Sequence, residues 1–184
     1  CKNSGARTMA RGNVSNTGLM MARLCYDLLM EKGRDALAAV ERHEVTPALE
    51  DVVEATIYLS GLGFENGGLA AAHAVNDGFA QEPQAHGMYH GEKVAFGTLV
   101  QLVLEKAPQE ELEQVLAFLR DTGLPLTLAQ LGVKEIVPET LKKVAEAAVV
   151  PTQSTKNLRA DITAQEVYDA ILEADRIGRD YLAR

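Results

Sequence analysis

Apolar residues recur at helical spacing along most of the chain, with little of the alternating pattern that is typical of β-strands. Near the N-terminus they occupy positions i, i+3, i+4 and i+7, at Met21, Leu24, Cys25 and Leu28. This spacing predicts one face of an amphipathic helix, and Gly33 is predicted to end that helix. The same kind of pattern continues downstream and predicts an all-α fold.

A second helix is predicted to begin at Thr46 and Pro47. Threonine is a good N-cap, and proline is well tolerated at the first helical position. Gly61 and Gly63 are predicted to end this helix. Its apolar face is formed by Leu49, Val52, Val53 and Thr56.

The segment from Glu92 to Lys106 differs from these two helices because it has no polar face. A helix that is apolar on all sides is buried in the middle of a bundle. We therefore expect this segment to lie at the centre of the fold. Its apolar positions are Val94, Ala95, Phe96, Leu99, Val100, Leu102, Val103 and Leu104.

Three amphipathic helices are predicted in the remaining part of the chain. Pro108 opens the first and Pro138 the second, while the third begins at a capping box, Thr163-Ala-Gln-Glu166. The polar stretch from Pro151 to Ala160 is predicted to be a surface loop. Together the patterns indicate a multi-helix bundle of about seven to nine helices with short connections. The apolar faces are Leu112, Val115, Leu116 and Leu119; Leu141, Val144, Ala145 and Ala148; and Val167, Ala170, Ile171, Ala174, Gly178 and Tyr181.

The composition agrees with this fold and argues against two classes of function. The 184 residues suffice for one ordinary domain with a substantial core. Strong helix formers such as Ala, Leu and Glu dominate, and Trp is absent. The net charge of −8 argues against nucleic acid and against a polybasic membrane anchor, because phosphate groups attract a basic surface.

The two cysteines, Cys1 and Cys25, are too few for a disulfide framework, which favours a reducing cytoplasm. No apolar run approaches the roughly 20 residues that span a bilayer, and no signal segment opens the sequence. Because the sequence begins with Cys1 rather than Met, we expect the start of the protein to lie outside this chain.

One region, from Gly61 to Gly97, does not follow ordinary bundle packing. It contains eight of the 15 glycines and three of the four histidines. Small residues allow backbones or ligands to approach closely, and histidine is a common metal ligand. The combination is more typical of a functional site than of a core.

The histidines themselves leave two interpretations open. His73 and His90 could each bind Zn or Fe(II) through a neutral imidazole, or serve as structural histidines bonded to backbone groups. His86 lies in the polar connection between Gln81 and Met88 and is expected to be solvated. His43, next to a charged helix end, is expected at the surface.

Asp77 follows His73 by four positions, so the two could share a helix face. The carboxylate could be a second metal ligand or could orient the imidazole. An aspartate before glycine also commonly ends a helix or begins a turn. Glu92 and Lys93 are predicted only to start the following helix, because glutamate suits a first turn.

Two blocks in this region closely resemble the glycerol dehydrogenase family, within the metal-dependent (iron-containing) alcohol dehydrogenase superfamily. They are Gly67-Gly-Leu-Ala-Ala-Ala-His-Ala-Val75 and His90-Gly-Glu-Lys-Val-Ala-Phe-Gly-Thr-Leu-Val-Gln-Leu102. The similarity covers nearly the whole chain, including Val45-Thr-Pro-Ala-Leu-Glu50, Tyr58-Leu-Ser-Gly-Leu-Gly-Phe64 and Leu124-Pro-Leu-Thr-Leu-Ala-Gln-Leu131. It implies that residues 1–184 are the C-terminal helical, metal-binding domain of a dehydroquinate-synthase-like architecture.

The resemblance implies that His73 and His90 bind the catalytic metal, usually zinc, with iron as the alternative. The family's third ligand is an aspartate in a Gly-Asp-Ala-Leu-Ala-Thr segment, which does not occur in this sequence. The family commonly has histidine at the position of Asn76, a departure that leaves both predicted ligands in place, and Asp77 adds a negative charge near them. Phe64 is expected beside the substrate or, equally, in the core.

The implied reaction oxidises the secondary alcohol of glycerol to dihydroxyacetone, with the metal acting as a Lewis acid and hydride passing to NAD. The segment Gly61–Gly67 does not fit a dinucleotide fingerprint, because it has one residue too many and follows a helix. NAD binding is therefore expected from a missing N-terminal domain, and this chain alone is expected to be inactive.

The expected partners are glycerol or a similar small diol, the N-terminal domain, and further copies in a homo-oligomer in the cytoplasm. Two other functions stay open from the sequence. One is a non-catalytic, truncated helical module, and the other is a domain of a sister alcohol dehydrogenase that acts on another diol.

Overall fold

The computed structural model describes residues 5–184, which form two compact units. The first unit ends at Leu69, and the second extends from Ala70 to Arg184. Residues 5–184 contain helices but no β-sheet, and an isolated bridge pairs Arg7 with Asn13. The predicted all-α fold is therefore confirmed.

The first unit is built on one long helix. Helix α1 (Asn16–Glu41) packs against α2 (Pro47–Glu54) and α3 (Ser60–Gly67), and a π-helical turn (Ala55–Leu59) joins α2 to α3. As predicted, Thr46 is the N-cap of α2, because its side chain accepts a hydrogen bond from the amide of Leu49.

The prediction that Gly33 ends the first helix is wrong, because α1 continues to Glu41. Glycine inside a helix costs only about 1 kcal/mol relative to alanine. Ala36 and Ala39, which lie beyond it, are buried, and their packing outweighs that cost.

Gly61 and Gly63 do not end a helix either, because both lie inside α3. A Cβ atom on Gly63 would lie 3.2 Å from the backbone of Ala22, and one on Gly18 would lie 2.6 Å from the backbone of Asn66. Two of the glycines on these facing helices therefore allow α1 and α3 to approach closely.

The core of the first unit is smaller than the predicted faces. Leu24 and Val53 were placed on these faces, yet they are 49% and 44% exposed. Cys25 is a buried, free thiol whose pKa is raised by burial, and Cys1 lies outside the described residues. One cluster of buried residues consists of Cys25, Ala55 and Leu59, with Met21, Leu28 and Leu29 packed against them.

The second unit contains five α-helices. The central one, α5, packs against α4, α6 and α8, as expected from its apolar circumference. Phe96, Leu99 and Val100 on α5 are essentially inaccessible to solvent. The helices are α4 (Ala71–Gly78), α5 (His90–Glu105), α6 (Gln109–Asp121), α7 (Pro138–Ala148) and α8 (Ala164–Leu182).

The last three helices begin where the sequence predicts. Pro108 precedes α6, Pro138 is the first residue of α7, and Thr163 and Glu166 form the capping box of α8. Their predicted apolar faces line the core, from Val115 on α6 to Ile171 on α8.

The stretch from Pro151 to Ala160 is more than the predicted surface loop. It contains a 3₁₀ turn (Ser154–Asn157), and Thr155 within it is buried. The hydroxyl of Thr155 donates to the carbonyl of Ala148, the last residue of α7. The helix end would otherwise leave that carbonyl without a partner, which explains why this polar residue is buried.

Candidate metal centre

The structure brings His73 and His90 together from two different helices of the second unit. His73 is the third residue of α4, and His90 is the first residue of α5. The centroids of their imidazole rings are 5.5 Å apart, and the ring planes are inclined at 48°. The two predicted ligands are therefore neighbours in space.

The ring separation fits a shared zinc ion. With Zn–N bonds of about 2.0–2.1 Å, each ring centroid lies about 3.2 Å from the metal, so a tetrahedral zinc separates two centroids by about 5.3 Å. The observed 5.5 Å is close to that value. The donor set of two imidazoles also suits zinc, and iron as the alternative.

The surroundings of His73 favour the neutral imidazole, which is the form that binds a metal. His73 is half-buried, whereas His90 is exposed. Burial lowers the pKa of His73 below its ordinary value of 6.5, and the positive charge of His90 lowers that pKa further, while Asp77 opposes both effects. His73 is therefore neutral near pH 7, with a nitrogen lone pair available to a metal.

Asp77 lies near the C-terminal end of α4 and is exposed. One carboxylate oxygen accepts from the side-chain amide of Asn76 at 3.0 Å, and the other accepts from Gln153 at 3.1 Å. Within residues 5–184, no group of three or more His, Cys, Asp or Glu side chains is arranged to hold a metal ion. The charge of Asp77 raises the pKa of His73, against the effects of burial and of His90.

The start of α5 positions His90. As predicted, Glu92 belongs to the first turn, where its carboxylate accepts a hydrogen bond from the amide of Tyr89 at 2.6 Å. This contact satisfies a backbone donor just before the helix. It holds the backbone on both sides of His90.

The other predicted residues lie elsewhere. Phe64 belongs to α3 in the first unit, where it lines a surface groove of about 350 Å³ with Ile57, Tyr58, Gly61, Leu62 and Glu65. His86 and His43 are exposed, as expected. One ring nitrogen of His86 lies 3.0 Å from the carbonyl oxygen of Ala80.

Packing explains part of the unusual glycine content. A Cβ on Gly97 would lie 2.4 Å from the carbonyl oxygen of Ala72, and one on Gly78 would lie 2.4 Å from that of Val144. Helix α4 therefore lies in backbone contact with both α5 and α7. Sequence reasoning attributed these glycines to a site, whereas they bring the site-bearing helices together.

Sequence reasoning missed the polar residues that hold α4. Gln101 accepts a hydrogen bond from the amide of Ala72, and Ser154 donates one to the carbonyl of Ala70. Both partners are distant along the chain, so no local pattern indicates them.

None of the described helices is both long and apolar enough to cross a membrane.

No family model matches the chain. Individual relatives match it closely. It is 54% identical over 99% of its length to glycerol dehydrogenase from Escherichia coli O6:H1, and 49% identical over 97% to glycerol dehydrogenase from Pseudomonas putida. The chain spans about half the length of these curated relatives.

A solved structure agrees. The crystal structure of glycerol dehydrogenase from Schizosaccharomyces pombe superposes with a TM-score of 0.92 and 39% sequence identity, covering 97% of this chain and 46% of that one. In both sequence and fold, the chain therefore matches about half of the length of these glycerol dehydrogenases. The chain belongs to the glycerol dehydrogenase family and corresponds to its C-terminal helical domain.

Proposed function

We propose that this chain is the metal-binding half of an NAD-dependent glycerol dehydrogenase. The whole enzyme would oxidise the secondary alcohol of glycerol, or of a similar small diol, to the ketone and pass the hydride to NAD. The observation that carries the proposal is the pairing of His73 and His90, whose ring centroids are 5.5 Å apart at the starts of α4 and α5.

In this proposal His73 and His90 hold a zinc ion, with iron as the alternative. When bound, the metal supplies Lewis acidity, which makes an alcohol hydroxyl more acidic. The chain contributes two imidazole nitrogen donors, and the lowered pKa of His73 keeps that donor unprotonated near pH 7. Two protein ligands leave positions for a further ligand from outside this chain and for the substrate.

The remaining components lie outside residues 1–184. We propose that a dinucleotide-binding domain, N-terminal in the whole protein, binds NAD and supplies the missing carboxylate ligand. Hydride transfer requires NAD to face the metal-bound side of the substrate, so neither half acts alone. The groove beside Phe64 is a candidate for substrate contacts. We also propose that the whole enzyme is a cytoplasmic homo-oligomer.

The proposal can be tested by complementation. The 184-residue chain alone is expected to bind little zinc and to oxidise no glycerol. Supplying the N-terminal half of the Escherichia coli relative, fused or in trans, is expected to restore both. Metal analysis and NADH absorbance measure the two effects.

Matched histidine variants sharpen the test. In the complemented enzyme, His73→Gln and His90→Gln are expected to abolish zinc retention and activity, whereas His86→Gln leaves both unchanged. Full activity from the chain alone would show that the catalytic apparatus lies within it and would overturn the proposal. Complementation that leaves His73→Gln fully active would also contradict it.

A further inference from the structure

Helix α4 begins without a side-chain cap of its own. Its N-cap residue is Ala70, whose methyl group accepts no hydrogen bond. The first backbone amides of a helix have no partner within it. The amide of Ala72 instead donates to the side-chain oxygen of Gln101 at 3.0 Å. Gln101 belongs to α5, so the helix that carries His73 is capped by the helix that carries His90.

The same residue, Ala72, also lies where the backbones of the two helices approach closely. A Cβ on Gly97 would lie 2.4 Å from the carbonyl oxygen of Ala72 and 3.2 Å from its Cα. The peptide groups of Ala72 are therefore held by α5 on both sides: Gln101 binds the amide, and Gly97 lies against the carbonyl. Ala72 directly precedes His73, so this contact fixes the backbone from which that ring projects.

The positions on α5 fall on one face. Gly97 and Gln101 follow His90 by about two and three helical turns, which places all three on the side that faces α4. One face thus carries a ring beside His73, a site of backbone contact and an acceptor for the α4 amide.

The orientation of the Gln101 amide is set by a second hydrogen bond. Its nitrogen donates to the carboxylate of Glu105 at 2.7 Å. A carboxylate only accepts and a backbone amide only donates, so the two partners leave one orientation of the side chain. The oxygen of Gln101 consequently faces Ala72.

We infer that Gln101 is a positioning residue that holds the His73 ring beside the His90 ring. It touches neither ring and acts through the backbone of Ala72. The inference rests on the proposed function in one respect, namely that the positioned rings serve as a pair of metal ligands. The arrangement of the rings can be measured without metal.

The chain offers a matched control. Gln109 on α6 also donates to a glutamate four residues later, Glu113, at 3.1 Å. It differs from Gln101 in belonging to a helix other than α5. Gln109→Leu therefore removes the same kind of side-chain bond without disturbing the cap of α4.

The test measures the nuclear Overhauser effect between the rings of His73 and His90 in the metal-free chain, and compares it between the unsubstituted sequence and its variants. Gln101→Leu is expected to abolish it with helical content unchanged in far-ultraviolet circular dichroism, while Gln109→Leu retains it. The double variant Gln101→Glu/Glu105→Gln keeps an acceptor for Ala72 and a reversed side-chain bond, so it is expected to restore the effect. If Gln101→Leu fails to fold, Gln101→Asn, whose amide is one methylene shorter, takes its place with the same expectation.

A titration with zinc alone adds a second readout. Loss of a group that orients a metal ligand typically weakens affinity by about 10–100-fold. In the chain complemented by the N-terminal half, Gln101→Leu is expected to weaken zinc affinity by this factor relative to the unsubstituted sequence and to Gln109→Leu. A folded Gln101 variant that keeps the ring–ring effect at full intensity would overturn the inference. If the unsubstituted chain and its complemented form bind no zinc, the proposed function fails, while the ring–ring comparison still decides the role of Gln101.

Discussion

The imidazole rings of His73 and His90 lie with their centroids 5.5 Å apart although each ring belongs to a different helix. Helix α4 places the first ring and helix α5 the second, and the two helices are in backbone contact at Ala72 and Gly97. A pair of neighbouring imidazoles that would repel each other when both are charged is stable when at least one is neutral. The arrangement therefore disfavours simultaneous protonation of both rings.

The first prediction concerns the protonation of His73. Its pKa is expected below 6.5, because burial and then the charge of His90 disfavour the imidazolium. His90→Gln removes the like charge and is expected to raise the pKa of His73 partway. Asp77→Asn is expected to lower it further, because the carboxylate stabilises the charged form. Ring-carbon NMR titrations measure all three values, and a His73 pKa above 6.5 would contradict the prediction.

The second prediction compares two isoleucines. Ile171 on α8 is fully buried, whereas Ile57 in the π-helical turn is 74% exposed. Ile171→Ala is expected to lower the free energy of unfolding by about 2–5 kcal/mol, because it removes buried methyl groups and leaves a cavity. Ile57→Ala is expected to change it by less than about 0.5 kcal/mol. Urea denaturation measures both, and equal effects would show that α8 does not pack as described.

The third prediction compares two glycines that both lie inside helices. A Cβ on Gly178 would lie 1.9 Å from the carbonyl oxygen of Leu126, so Gly178→Ala is expected to destabilise the fold by about 1–3 kcal/mol or more. Gly61 lies inside α3, and a Cβ there would have no atom within 4 Å. Gly61→Ala is expected to stabilise by about 0.5–1 kcal/mol, because alanine favours the helix. Thermal unfolding of both variants distinguishes the packed glycine from the unpacked one.

Local signals predicted helix starts better than helix ends. The prolines before α6 and at the start of α7, and the Thr163–Glu166 capping box, act through adjacent backbone groups, so the sequence contains the whole interaction. Gly33, Gly61 and Gly63 were wrongly predicted to stop helices. Gly63 lies against Ala22, which is distant along the chain, so the local sequence does not show that the helix continues past this glycine.

The candidate site also contains some residues that the sequence predicts and others that it does not. His73 and His90 were predicted from their blocks of sequence, and the structure brings their rings together. Gln101 and Ser154, which hold α4, gave no signal, because each bonds to a backbone group far along the chain. Periodicity identifies apolar faces, but a single polar side chain that caps another helix leaves no pattern.

The last prediction concerns acid stability and the capping box of α8. The carboxylate of Glu166 accepts from the backbone amide of Thr163, and it also pairs with Arg159 and the hydroxyl of Thr163. The Thr163 amide first, and then the side chains of Arg159 and Thr163, lower the pKa of Glu166 from 4.5 to about 2.

The direction of the pH dependence follows from the difference between the folded and unfolded pKa of Glu166. Because the folded pKa is below the unfolded one, Glu166 is ionised in both states above about pH 5, and its stabilisation is fully present there. As the pH falls from 4.5 towards 2, the unfolded chain takes up the proton first, so this stabilisation is progressively lost.

Glu166→Gln is therefore expected to lower the melting temperature at pH 7. At pH 3 its melting temperature is expected to approach that of the unsubstituted chain. Glu110→Gln, in the first turn of α6 where no side-chain cap is present, serves as the control and is expected to show a smaller difference at pH 7. A difference between Glu166→Gln and the unsubstituted chain that stays constant from pH 7 to pH 3 would show that the capping carboxylate does not carry the charge-dependent stability assigned to it.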